Sequence, residues 1–132
     1  VILVLDSNVI IAAVAARGLC AEILSLIIAR HSLVMSEQIW AEVSKSLRSK
    51  IKVPISLIKE IEAILRSQAR WLDPAPVSVQ ACRDRTDLHV LGLAHAAEAQ
   101  YIISGDKDLL EVKRYLETKI VSPREFWTAG RG

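Results

Sequence analysis

The stretch Tyr101-Ile-Ile-Ser-Gly-Asp-Lys-Asp-Leu-Leu110 is a short apolar run that breaks at a glycine and delivers two aspartates. The chain begins in the same way, with Val1-Ile-Leu-Val-Leu5 running into Asp6-Ser-Asn8. Continuous β-branched and aliphatic runs of this length suit strands covered on both faces of a parallel sheet. Both strands thus end on an acid. In open parallel sheets, ligands gather beyond the carboxyl ends of the strands, where strand order reverses.

The segments around these two strands alternate in the manner of an α/β protein. Asn8 onward and Ala21 to Arg30 read as helices, with Ile23, Leu24, Ile27 and Ile28 repeating at three and four residues. His31 to Met35 is a second short strand, and Ser36 is a good N-cap, with Glu37 suited to the positive helix end. Ile39, Trp40, Val43 and Leu47 then form one apolar stripe, and Glu42 falls on its border. Pro54 opens a helix through about Gln68, expected to bury Ile58, Ile61, Ile64 and Leu65. A brief strand at Trp71-Leu72, a loop with Pro74 and Pro76, and a helix start at Asp84 to Ala94 follow. After the Tyr101 strand come a helical turn or two from Asp108 and a last strand, Lys119 to Val121. The expected architecture is a three-layer α/β/α sandwich with a central parallel sheet, Rossmann-like in kind.

At 132 residues the chain fits one domain over 1–132 with no internal linker. Its longest apolar stretch, Val9 to Ala16, falls well short of the roughly 18 to 20 residues that span a bilayer, so no membrane association is expected. Val1 to Leu5 has no basic leader and meets Asp6 at once, so a signal peptide is not expected and a cytoplasmic location is. Cys20 and Cys82 form no metal-ligand spacing and read as reduced thiols. The net charge of +2 does not announce nucleic acid, although Lys45, Arg48, Lys50 and Lys52 cluster and Arg83 and Arg85 flank Asp84. Trp40, Trp71 and Trp127 read as core or boundary aromatics, and His31, His89 and His95 as surface or partly buried structural residues.

The acids carry the chemistry. Asp6 and Asp106 stand at strand ends, Glu42 lies in the helix after the second strand, and Asp87 is in the first turn of the helix before the Tyr101 strand. Each has a structural reading: Asp6 as an Asx-turn residue, Asp84 and Asp87 as a capping-box pair, Asp108 as an N-cap and Glu42 as a surface residue. Together they say more. Carboxylates about 4 Å apart repel by on the order of 4 kcal/mol per pair at an effective dielectric near 20, so convergence calls for a cation. An oxygen-only set suits Mg²⁺ or Mn²⁺, which can acidify water for in-line attack on phosphorus and stabilise the leaving oxygen. The expected chemistry is phosphodiester hydrolysis, with Asn8 and Ser7 or Ser104 hydrogen-bonded in support.

On Leu5-Asp-Ser-Asn-Val9, Ser36 to Leu47 with Glu42, Cys82-Arg-Asp-Arg-Thr-Asp87 and Ser104-Gly-Asp-Lys-Asp-Leu-Leu110, the chain resembles the PIN-domain ribonucleases over nearly its full length. Within them it is similar to the VapC-like toxin components of toxin–antitoxin pairs. The resemblance matches the family's four acids to Asp6, Glu42, Asp87 and Asp106, with Asp108 assisting. Asp84 matches a further acidic position, in a motif where relatives often carry Asp-Pro-Asp-Asp and this chain has Arg85 and Thr86 in the middle. It implies Mg²⁺ or Mn²⁺, endonucleolytic cleavage of single-stranded RNA, a cognate antitoxin and a homodimer. The helices Ile10 to Ala16 and Ala21 to Ile28 are apolar enough for self-association and equally suit a core.

A phosphatase of the haloacid dehalogenase type wants a second Asp two residues after the first, where Asn8 stands. A phosphoacceptor receiver domain wants an acidic pair after the first strand and a lysine after the last. The stronger alternative is a module of the same fold, catalytically weak or inactive, that binds RNA or a protein partner.

Overall fold

The structure, a computed structural model, describes residues 1–16 and 18–131. In chain order the elements are β1 (Ile2–Leu5), α1 (Ser7–Ala15), α2 (Leu19–Arg30), β2 (Ser32–Met35), α3 (Glu37–Ser49), α4 (Ile55–Gln68), β3 (Arg70–Trp71), a 3₁₀ turn (Arg85–Asp87), α5 (Leu88–Ala97), β4 (Tyr101–Ile103), α6 (Lys107–Val112), β5 (Arg114–Tyr115), β6 (Thr118–Val121) and α7 (Pro123–Arg131).

Among the described residues, six strands form one sheet in the order β3-β2-β1-β4-β6-β5. All neighbours pair in parallel except β5, which runs antiparallel to β6. From β1 the chain builds outward through β2 to β3, then returns to the centre with β4 and builds the other way. The reversal lies between β1 and β4, so their carboxyl ends frame the crevice where such sheets bind ligands. Leu3, Val4 and Leu5 in β1, and Ile102 and Ile103 in β4, are fully buried, as central strands under helices on both faces require.

The helices follow their apolar spacing. Ser36 caps α3, its hydroxyl accepting from the Ile39 N–H at 3.1 Å, and Ile39, Trp40, Val43 and Leu47 are all buried. In α4, Ile58 and Leu65 are buried and Ile61 is half-buried, but Ile64 is exposed, against the expectation from its spacing. Leu57 and Ile64, seven residues apart, lie on the outer side of α4 while Ile58 and Leu65 hold it to the core. The antiparallel β5–β6 hairpin adds an edge that the alternation of strands and helices does not announce. Its Arg114 and Tyr115 pair with Lys119 and Thr118.

Gly92 has a positional reason. The Ala75 N–H donates to the Gly92 carbonyl at 2.9 Å, and a Cβ on Gly92 would stand 2.2 Å from the Ala75 carbonyl oxygen. The proline loop therefore lies directly on the backbone of α5. Among the described residues no single helix is long and apolar enough to cross a membrane.

Candidate metal centre

Sheet register brings the acids together. Leu5 and Ile103 are partners across β1 and β4, so the next residues, Asp6 and Ser104, stand side by side, and the Asp6 N–H donates to the Ile103 carbonyl at 3.0 Å. Ser104 is fully buried. Its hydroxyl donates to Asp6 Oδ2 at 2.7 Å and accepts the Asp106 N–H at 2.9 Å, so one oxygen joins the acids at the two strand ends. Asp6 Oδ1 accepts from the Ser7 N–H at 2.8 Å, where Asp6 caps α1. Ser7 thus supports Asp6 through its backbone. Asn8 is exposed, and no side-chain hydrogen bond joins it to the acids among the described residues.

Asp106 Oδ1 accepts from the N–H groups of Asp108 and Leu109 at 2.8 and 3.4 Å, which makes Asp106 the N-cap of α6. The sequence reading gives that place to Asp108, which lies in the first turn instead. Asp106 is thus held from both sides, its N–H by the Ser104 hydroxyl and its carboxylate by the first turn of α6.

The motif around Asp87 separates the capping residue from the uncommitted one. Asp84 Oδ1 accepts from the Thr86 N–H at 2.9 Å and its hydroxyl at 2.7 Å, and these bonds hold the Asp84 carboxyl below the usual carboxylate range. Asp87 makes no capping hydrogen bond. It is 7% exposed, and its Oδ2 has no hydrogen-bond partner among the described residues. Buried polar atoms are nearly always paired, so an orphaned carboxylate oxygen needs a reason. The Cys82 thiol, buried, reaches the Asp108 carbonyl at 3.6 Å and ties this segment to α6.

Asp6, Asp87 and Asp106 each offer a carboxylate oxygen, all within 4.8 Å of one another. Asp84, Asp87 and Asp108 form a second such group, so Asp87 belongs to both. The strain shows in the acids themselves. Burial, and then the charges of Asp106, Asp6, Asp84 and Asp108, push Asp87 up to about 7. Asp6 is raised too, chiefly by burial, against the lowering effect of the Ser104 hydroxyl and the Ser7 N–H, with Asp106 and Glu42 adding repulsion. An oxygen-only donor set with one buried, unpaired oxygen fits a hard divalent cation.

Glu42 stands apart from both groups. Its charge reaches Asp6, but its Oε2 lies 3.0 Å from His89 Nε2. The His89 side chain is 8% exposed and that of Glu42 38%. His89 is partly buried, one of the two settings expected for it; its contact with Glu42 is what the sequence does not announce. The two residues are 47 apart in the chain and meet because the fold brings the start of α5 within side-chain reach of α3.

The PIN domain family matches residues 2–108, and the chain belongs to it. No curated protein matches the chain by sequence. Three solved structures share the fold. VapBC2 from Rickettsia felis, bound to a DNA fragment from its promoter, is 17% identical with a TM-score of 0.61, over 92% of this chain and 98% of that one. VapBC-1 from nontypeable Haemophilus influenzae is 18% identical with a TM-score of 0.62, over 94% and 99%. FitAcB from Neisseria gonorrhoeae is 12% identical with a TM-score of 0.54, over 92% and 98%.

Proposed function

We propose that this PIN domain is a Mg²⁺- or Mn²⁺-dependent endoribonuclease that hydrolyses phosphodiester bonds of single-stranded RNA, acting as the toxin of a toxin–antitoxin pair. The observation that carries the reading is the meeting of Asp6, Asp87 and Asp106 within 4.8 Å at the strand-order reversal, with one buried Asp87 oxygen unpaired among the described residues. Those three would hold the cation, with Asp84 and Asp108 in the second group that shares Asp87 and Glu42 near enough for its charge to act on Asp6. The cation, when bound, supplies an acidified water and stabilises charge on the leaving oxygen.

The chain's own groups do the rest. The Ser104 hydroxyl and the Ser7 N–H fix both oxygens of Asp6, so its carboxylate cannot turn away. Two N–H groups fix Asp106 from α6. Arg83 and Arg85, exposed on either side of Asp84, offer positive charge to an approaching phosphate backbone, and the exposed Lys45, Arg48, Lys50 and Lys52 add to it.

The toxin assignment is supported by the VapC-like motifs and by the fold shared with VapBC2, VapBC-1 and FitAcB. The exposed Ile55, Leu57 and Ile64 of α4 are apolar surface of the kind a protein partner covers, a cognate antitoxin in this reading. The working form would be a cytoplasmic homodimer, to be read from mass in solution.

The test is incubation of pure protein with labelled single-stranded RNA and Mn²⁺, with EDTA and Asp6→Asn as controls. Mn²⁺-dependent cleavage that drops to background in both controls is expected. Cleavage that survives both removes the enzymatic reading, and RNA binding without cleavage favours the inactive module.

A further inference from the structure

Building on the metal-site reading, we infer that His89 is a positioning residue that holds Glu42 in place at the rim of the metal centre through the 3.0 Å bond from its Nε2 to Glu42 Oε2. An ionised carboxylate only accepts, so the hydrogen lies on Nε2. The bond spans two helices, joining α3, which carries Glu42, to α5, which begins immediately after Asp87.

Three observations set this contact apart from ordinary packing. First, Glu42 is the one acid of the proposed quartet that lies outside the groups whose oxygens converge within 4.8 Å. Asp6 and Asp106 are each fixed by their own backbone and neighbouring N–H or hydroxyl groups, whereas Glu42 sits mid-helix on a long side chain, 38% exposed, with His89 as its hydrogen-bond partner. Second, the His89 ring is nearly enclosed, so the donor is rigid while the acceptor is not. Third, His89 Nδ1 is buried without a hydrogen-bond partner among the described residues. Among the described residues, the bond to Glu42 is therefore the one hydrogen bond that the ring makes. Glu42 Oε1 is left for the cation or for water beside it. Partners that orient metal-binding side chains in this way typically change metal affinity about 10- to 100-fold when removed.

The test uses the full chain and Mn²⁺ as probe, with binding followed by calorimetry. His89→Phe fills the space without a donor, His89→Asn has a donor too short to reach, and His89→Gln places an amide donor near the Nε2 position. Each is made alone and in a Glu42→Ala background. His89→Phe and His89→Asn should weaken Mn²⁺ binding about 10-fold, with His89→Gln recovering most of the loss. Neither change should matter once Glu42 is gone. In RNA cleavage, the Mn²⁺ concentration for half-maximal rate should rise while the rate at saturating Mn²⁺ changes little. Unaltered Mn²⁺ affinity in His89→Asn, or an equal loss in both backgrounds, overturns the inference alone. Absence of Mn²⁺ binding in the wild-type chain overturns the metal-site reading and this inference with it.

Discussion

Asp87 is the residue on which the site's electrostatics turn. With its carboxyl raised from 3.8 to about 7, the folded metal-free chain holds a proton there more tightly than the unfolded chain does. Stability therefore falls as pH rises from about 4 to about 7, and Asp6, raised for the same chief reason, pushes in the same direction. In EDTA the melting temperature should drop between pH 5 and pH 7.5. Asp87→Asn should flatten that decline and melt higher than wild type at pH 7.5, with little difference at pH 4.5. Differential scanning calorimetry across that range checks it, and a lower melting point for Asp87→Asn at pH 7.5 would contradict the account. Asp6 and Asp106 were legible in the sequence because strand ends announce where side chains go, whereas Glu42 and Asp87, on helical segments, were matched through the family motifs. The His89 contact was not, because nothing local to Leu88-His89-Val90 records which distant side chain comes within reach.

Among the elements, α5 is the most constrained. Its Gly92 carries the proline loop on its backbone, and a methyl group there would meet the Ala75 carbonyl oxygen rather than the end of a pliable side chain. Gly92→Ala should cost about 1 to 3 kcal/mol, read as a lower urea midpoint at unchanged slope. Because α5 starts immediately after Asp87, the variant should also weaken Mn²⁺ binding although it touches no acid. The strands β1, β2 and β4 were legible as unbroken aliphatic runs, and α3 as a stripe with a serine cap. β5 was not, since two residues, Arg114 and Tyr115, carry no period and owe their strand to pairing with β6. Ile64 was misplaced for a related reason: spacing marks an apolar helix face without saying how much of its width the core can cover.

For the whole molecule, the convergence of acids from β1, the 82–87 segment and β4 means that the fold is completed against its own repulsion. A cation that binds only the folded chain should relieve it. At 100 times its dissociation constant, Mn²⁺ should add about 2.7 kcal/mol, a rise of roughly 10 °C in melting temperature for a chain of this size. Thermal scans with and without Mn²⁺ measure this, and Asp6→Asn should shrink the shift. Both borders of the sheet have a further consequence. β3 and β5, at the two edges, are each two residues long and each begins with an arginine. So short a stub leaves almost no free backbone rungs for another chain to extend, and the guanidinium repels a like neighbour. Concentrated protein should therefore resist stacking into fibres through its strands, even though aliphatic residues fill the sheet's interior.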